Sequence, residues 1–192
     1  FDSEAGELAW RFDTAAPILT TPAVVDGRLY LSTGDRRVVA LDASSGELIW
    51  EHEVSGPVGS SVAVAGDLVF VGLRDSRMLA LRTSTGEVEW QADTDGHINS
   101  SPVVKDGVVY VGSGDYNMIA FDATTGATRW SYKANGWIMS SPAVLENLVA
   151  FTSQDGNLYI IDTHTGKRRL DYQISRGGTG SPVFGADKLY MT

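Results

Sequence analysis

The stretch Ala120–Trp130, with the sequence AFDATTGATRW, decides the fold because it recurs at a period of forty residues. Three of its residues return in phase, with no insertion or deletion between the copies. These landmarks are Ala40, Gly46 and Trp50, then Ala80, Gly86 and Trp90, then Ala120, Gly126 and Trp130. A partial copy precedes them at Gly6 and Trp10, and a diverged copy follows at Ile160, Gly166 and Leu170. Such a fixed period indicates one supersecondary unit copied in series, in which each copy buries the face that its neighbour leaves exposed.

A second landmark keeps the same period. A hydroxyl residue, usually followed by proline, recurs at Thr21, Ser61, Ser101, Ser141 and Ser181. Because the repeat runs from one end of the 192 residues to the other, we expect one continuous body rather than separate domains.

Composition excludes several classes of function. The hydrophobic content of 43% is sufficient for a core, and no apolar run approaches the ~18 residues that a membrane span requires. The net charge of −9 argues against a nucleic-acid partner, since phosphate backbones require a basic surface. The chain has no cysteine, which excludes disulfides, thiolate metal ligands and cysteine nucleophiles.

Turn signals divide each repeat into four short strands. In the clearest copy the predicted strands are Ile98–Val104, Val108–Val111, Met118–Asp122 and Ala127–Lys133. Four short antiparallel strands in forty residues are typical of one blade of a β-propeller. The predicted blades are residues 18–54, 58–94, 98–134 and 138–174, with a partial blade at 1–14 that supplies a leading fourth strand and another at 178–192.

The residues that repeat in phase favour structural interpretations. The glycines Gly46, Gly86 and Gly126 occupy the turn between the third and fourth strands, where a positive φ is expected. Four aspartates recur in the turn between the second and third strands, but each lies in a different blade, so we interpret them as turn formers and predict no metal site. The tryptophans at Trp10, Trp50, Trp90 and Trp130 are predicted to pack against the next blade.

The pattern Ala-x-Asp-x-x-Thr-Gly-x-x-x-Trp, as in Ala120–Trp130, resembles the tryptophan-docking motif of the quinoprotein-like, or PQQ-type, β-propeller repeat. The resemblance covers essentially the whole chain. The sequence departs from the motif at Arg82, where the motif has aspartate, and at Ile160 and Leu170, where we expect looser docking of that blade.

The resemblance implies two different classes of protein. Some members of the family are dehydrogenases that depend on pyrroloquinoline quinone (PQQ) and calcium; others keep the propeller without the cofactor, such as the outer-membrane assembly lipoprotein of Gram-negative bacteria. Many of the dehydrogenases carry an adjacent cysteine pair, which this chain lacks, and the inner-strand segments contain no compact acidic cluster. We therefore expect a non-catalytic scaffold without a cofactor; the alternative is part of a PQQ- and calcium-dependent dehydrogenase.

Candidate recognition residues lie where the repeat varies. In a propeller, the segment that leads into each innermost strand lies at the mouth of the central channel, and in this chain these segments differ between copies. Trp137, the one tryptophan out of phase, belongs to such a segment. Together with His97, Asn99, Met139 and Arg176 it is predicted to form an amphipathic rim for a protein partner or small ligand. The alternative is that these segments vary because nothing constrains them, and that Trp137 only covers the channel.

The expected architecture is an all-β propeller segment of about five blades, which belongs to a larger ring of seven or eight. By resemblance, we expect a periplasmic, cell-surface or extracellular protein, with a possible membrane tether in the parent chain.

Overall fold

The computed structural model describes residues 6–174, 180–185 and 188–191. Over these residues the chain is all-β, with four four-stranded antiparallel sheets and one two-stranded sheet. The predicted β-propeller of four-stranded blades is confirmed. The sheets do not close on one another, so the described residues form part of a ring. The same residues contain no helix with the length and hydrophobicity of a membrane span.

Each blade is built from four strands in chain order, from the innermost to the outermost. Blade 1 contains β1 (Ala23–Val25), β2 (Arg28–Thr33), β3 (Arg37–Asp42) and β4 (Leu48–Glu53). Blade 2 contains β5 (Ala63–Ala65), β6 (Leu68–Gly72), β7 (Arg77–Arg82) and β8 (Val88–Asp93). Blade 3 contains β9 (Val103–Lys105), β10 (Val108–Gly112), β11 (Asn117–Asp122) and β12 (Thr128–Lys133). Blade 4 contains β13 (Ala143–Leu145), β14 (Leu148–Thr152), β15 (Asn157–Asp162) and β16 (Arg168–Gln173), and the last sheet pairs β17 (Pro182–Phe184) with β18 (Leu189–Met191).

The core lies between the blades rather than within them. Successive side chains of a strand point to opposite faces of its sheet, so neighbouring residues enter different interfaces. On β6, Val69 and Val71 pack toward blade 1, whereas Phe70 packs toward blade 3. The central strands are buried on both faces, which explains why they read as continuous apolar runs in the sequence.

The innermost strands are shorter than the sequence predicted. The strand predicted at Ile98–Val104 is observed as β9, Val103–Lys105. The residues before it bond to neighbouring blades instead of to β10: the Ile98 amide donates to the Leu73 carbonyl at 3.0 Å, and the Ser101 amide donates to the Ser141 hydroxyl at 3.2 Å. These bonds satisfy the backbone outside the ladder, so the strand begins late.

The repeated hydroxyl residues link consecutive blades. In each case a backbone amide donates to the hydroxyl forty residues further along. The bonds run from Thr21 to Ser61 (3.0 Å), Ser61 to Ser101 (3.0 Å), Ser101 to Ser141 (3.2 Å) and Ser141 to Ser181 (3.0 Å). The second landmark of the sequence is therefore a series of hydrogen bonds that fixes the spacing of the inner segments.

The predicted leading fourth strand does not form a strand. Within the described part of that segment, residues 6–14 have no ladder partner, although Trp10 and Phe12 pack against Leu31, Val39 and Leu41 of blade 1. Side-chain packing therefore holds this segment on blade 1 without sheet pairing.

Candidate functional site

The four tryptophans that repeat in phase all contact the next blade in the same way. The Nε1 of each donates to a backbone carbonyl 33 residues further along, at 2.7–2.9 Å. The acceptors for Trp10, Trp50, Trp90 and Trp130 are Ala43, Thr83, Ala123 and Thr163. Each indole ring also lies against a glycine of the next blade, so closely that a Cβ would overlap the ring; the glycines are Gly46, Gly86, Gly126 and Gly166, and all have positive φ.

A charged pair flanks this glycine turn. In blade 3 the register of β11 and β12 passes from Trp130 to Thr128, which leaves Arg129 as the extra residue of a bulge. Its guanidinium pairs with Asp122 at 2.7 Å, and Asp122 also accepts the amides of Thr124 and Thr125 at 3.0 Å. The Arg129 hydrogen bond and these turn donors lower the pKa of Asp122 to about 2.

Blade 2 carries the same pair with reversed charges. Arg82 stands at the position of Asp122, and it pairs with Glu89, which stands at the position of Arg129. The departure from the motif therefore keeps the ion pair but removes the carboxylate that caps the turn amides.

Backbone hydrogen bonds fix the segments at the channel mouth. In each blade the carbonyl that opens this segment accepts an amide of the turn between the second and third strands. The pairs are Pro17 with Gly34 (3.0 Å), Pro57 with Arg74 (2.9 Å), His97 with Gly114 (2.9 Å) and Trp137 with Gln154 (2.9 Å). The backbone frame is constant, so the side chain at this position can change from blade to blade without altering the fold.

Only alternate residues of these segments face solvent. Ile98 and Ile138 are buried and lie against Gly72 and Gly112 of the preceding blade. Ser140 is also buried, and its hydroxyl exchanges hydrogen bonds with Thr152. From the sequence we expected the whole segment to vary. In the structure, buried residues alternate with residues that face outward.

The outward positions bring four of the five predicted rim residues to one surface. The rings of His97 and Trp137 meet edge to face, with centroids 6.2 Å apart, and Trp137 is 45% exposed. Asn99 accepts a hydrogen bond from Arg74 Nε at 2.9 Å, and Met139 is 37% exposed. Arg176 lies outside the described residues.

Sequence reasoning missed two residues of this surface. Arg74 bonds Asn99, and Gln154 Nε2 donates to the sulfur of Met139 at 3.1 Å. Both occupy the same repeat position, which is glycine in blades 1 and 3, at Gly34 and Gly114. The change from glycine to a long polar residue at a constant position was the available signal. We define the mouth rim as Arg74, His97, Asn99, Trp137, Met139 and Gln154.

A recess of about 220 Å³ adjoins Trp137 and Gln154, and Asp155 forms part of its wall. Burial opposes ionisation of this carboxyl, but hydrogen bonds from Tyr159 and from the amides of Asn157 and Asn135 hold its pKa below the usual value. Burial and the bond to Asp155 raise the pKa of Tyr159 to about 12. Asp155 therefore holds its turn through these hydrogen bonds.

Among the residues that the structure describes, no group of three or more histidine, aspartate or glutamate side chains could hold a metal ion.

Comparison with known proteins gives the family. A family model described as outer membrane protein assembly factor BamB matches residues 1–58 and 37–190. The chain belongs to this family of PQQ-like repeat propellers. A search of curated protein sequences gives no match.

Solved structures agree on the fold. BamB from Moraxella catarrhalis has a TM-score of 0.83 and 24% identity, over 96% of this chain and 58% of that protein. A quinohemoprotein alcohol dehydrogenase from Pseudomonas putida HK5 has a TM-score of 0.78 and 24% identity, over 92% and 37%. The computationally designed protein Ika8 has a TM-score of 0.91 and 17% identity, over 100% and 60%. The chain thus spans between about one third and three fifths of these proteins, and the likeness shows the propeller fold that BamB, a dehydrogenase and a designed protein share.

Proposed function

We propose that this chain is a non-catalytic propeller scaffold that recognises a protein partner or small ligand at the mouth rim. The exposure of Trp137 carries the proposal. It lies edge to face with His97 at the outward position of a fixed segment, whereas the tryptophans that repeat in phase contact the next blade.

The composition of the rim supports recognition rather than chemistry. Aromatic, methionine and arginine side chains are enriched at protein interfaces, and the rim combines all three types around Trp137 and His97. The polar groups Arg74 and Gln154 are already held by Asn99 and Met139, so they are ordered before a partner arrives.

Family membership supports a protein partner and a location outside the cytoplasm. The family description names an outer membrane protein assembly factor, and we propose a periplasmic, cell-surface or extracellular role for this chain on that basis.

Site-specific photocrosslinking tests the proposal. A photoreactive phenylalanine analogue at Met139 should form an adduct with the partner, and the same analogue at Glu146 is the control, because Glu146 lies in a turn between a first and a second strand instead of at the mouth. The partner, once identified and purified, should lose binding to Trp137→Ala and His97→Ala. Equal binding of the variants and the parent protein would contradict the proposal.

The alternative is part of a PQQ- and calcium-dependent dehydrogenase, and the likeness to the quinohemoprotein alcohol dehydrogenase favours it. The quinone would supply the redox chemistry when bound. Calorimetry with PQQ and calcium separates the two functions: saturable binding would support the alternative, and no binding by the full parent chain would support the scaffold.

A further inference from the structure

The face of the propeller opposite the mouth rim carries a repeated cleft between blades. Three clefts with corresponding lining residues lie between blades 1 and 2, 2 and 3, and 3 and 4, with volumes of about 330, 510 and 160 Å³. Each is formed by the first turns of two neighbouring blades and the glycine turn of the second. The repeat therefore provides an internal comparison of one cleft in three versions.

The chain places a cation of its own in the first cleft. Arg28 lines the cleft between blades 1 and 2, and its Nη1 donates to the Thr83 carbonyl at 2.9 Å. The same carbonyl accepts Trp50 Nε1 at 2.8 Å. Asp26 and Asp67, one from each turn, also line this cleft.

The second cleft lacks this cation but keeps its surroundings. Leu68 stands where blade 1 has Arg28, and Phe70 stands where blades 1 and 3 have tyrosine. The Ala123 carbonyl accepts Trp90 Nε1 at 2.8 Å, and no second donor reaches it within the described residues. Asp67 and Asp106 again line the cleft, one from each turn.

Other charges at this cleft leave it acidic. Arg82 and Glu89 line it but neutralise each other as an ion pair. Lys105 also lines it, and the two aspartates outnumber this one lysine. The floor is apolar, formed by Leu68, Phe70, Val104 and Ala123.

The third cleft is the smallest. His164 lines it at the position held by Ser84 and Thr124 in the other two clefts, and Arg129 extends into its lining from the bulge of blade 3. Larger side chains of the chain itself thus reduce the volume here.

We propose that the cleft between blades 2 and 3 binds an alkylguanidinium group supplied by a ligand. The guanidinium would donate to the Ala123 carbonyl between Asp67 and Asp106, and its alkyl stem would lie on Leu68 and Val104. Arg28 already occupies the corresponding position in the first cleft. The volume of about 510 Å³ lies within the range of small-molecule sites.

The test is a titration with n-butylguanidinium followed by amide chemical shifts in NMR spectra. We expect saturable shifts confined to residues 65–68, 104–107 and 123–124, with a Kd of about 1 mM. Butylurea has the same shape without the charge and should bind about threefold more weakly. Scattered, non-saturating shifts over the acidic surface, or equal binding of butylurea, would overturn the proposal.

Two variants exchange arginine and leucine between corresponding positions of the first and second clefts. Leu68→Arg introduces the side chain that the scaffold already accommodates at Arg28 and should abolish the shifts. Arg28→Leu should open the first cleft and add a second set of shifts at residues 25–28, 64–67 and 83–84. If Leu68→Arg does not fold, the second set of shifts in Arg28→Leu is the deciding result, and its absence would count against the proposal.

Two further experiments test the role of the carboxylate charges and the source of the guanidinium group. The double variant Asp67→Asn and Asp106→Asn should weaken the binding of n-butylguanidinium by about threefold and leave the binding of butylurea unchanged. An equal effect on the binding of both compounds would overturn the charge argument. A blocked Gly-Arg-Gly peptide that matches n-butylguanidinium would indicate an arginine of a partner chain, whereas much weaker binding of the peptide would indicate a small alkylguanidine.

Discussion

Trp90 and Trp137 place the same side chain in two different environments. Trp90 is 7% exposed, donates to the Ala123 carbonyl of the next blade and lies between Phe70 and Phe121 at centroid distances of 5.9 and 6.2 Å. Trp137 is 45% exposed and meets a single ring, that of His97. The difference follows the repeat: Trp90 recurs in phase and connects two blades, whereas Trp137 is out of phase and faces solvent.

The largest expected effect is the loss of an interblade tryptophan. Trp90→Ala removes a buried ring, a hydrogen bond and two aromatic contacts, and should lower the free energy of unfolding by about 3–5 kcal/mol. Urea denaturation followed by far-UV circular dichroism measures it. If Trp137→Ala costs as much, the comparison between the two tryptophans fails.

The next effect tests the glycine against which Trp90 lies. Gly126 has φ +72°, and a Cβ there would lie 2.6 Å from Trp90 Cε3, so Gly126→Ala should cost about 2–4 kcal/mol. Gly107→Ala is a matched control: its φ is also +72°, but nothing lies within 4 Å of a Cβ, so it should cost only about 1 kcal/mol. Equal losses would mean that backbone strain, and not contact with the ring, explains this glycine.

The fold could be predicted because its determinants repeat in phase. The Ala120–Trp130 pattern, the glycine turns and the continuous apolar strands each report the same interblade packing, and five imperfect copies reinforce one another. The short innermost strands could not be predicted, since Ile98 and Ser101 look like strand residues but bond to other blades. Local propensity contains no information about such partners.

The mouth rim was only partly predictable for a related reason. His97, Asn99, Trp137 and Met139 were identified by their variation in a constant segment, but the division between outward residues and the buried Ile98 and Ile138 depends on the preceding blade. Arg74 and Gln154 come from a different turn, and only the folded chain brings them to Asn99 and Met139.

A smaller effect concerns the charged pair Asp122 and Arg129, which flanks the glycine turn that Trp90 contacts. Asp122→Ala removes the acceptor for two turn amides and for Arg129, and should cost about 1 kcal/mol at pH 7. The folded-state pKa of Asp122 is about 2, below the ordinary value of 3.8, so its contribution is present above pH 3.8 and is lost as the pH falls through 2.

The measurement is the difference in the free energy of unfolding between the unmutated chain and Asp122→Ala, followed from pH 7 to pH 2. The difference is needed because the pKa of Asp42 is also lowered to about 2, by hydrogen bonds from Ser44 and Ser45, so protonation of Asp42 destabilises both proteins over the same pH range. A difference that stays constant down to pH 2 would show that the carboxylate charge contributes nothing to this turn.

The smallest expected effect on stability is that of Trp137→Ala, below about 1 kcal/mol, because nearly half of the side chain is already in water and its backbone bond to Gln154 does not depend on the ring. A double-mutant cycle with His97→Ala isolates the edge contact, which should contribute about 0.5 kcal/mol. The same variants should reduce the binding free energy of the mouth-rim partner or ligand far more than they reduce the free energy of unfolding. A solvent-exposed aromatic side chain contributes most when a partner covers it. A loss of several kcal/mol in urea denaturation would instead mean that Trp137 holds blades 3 and 4 together and belongs with Trp90.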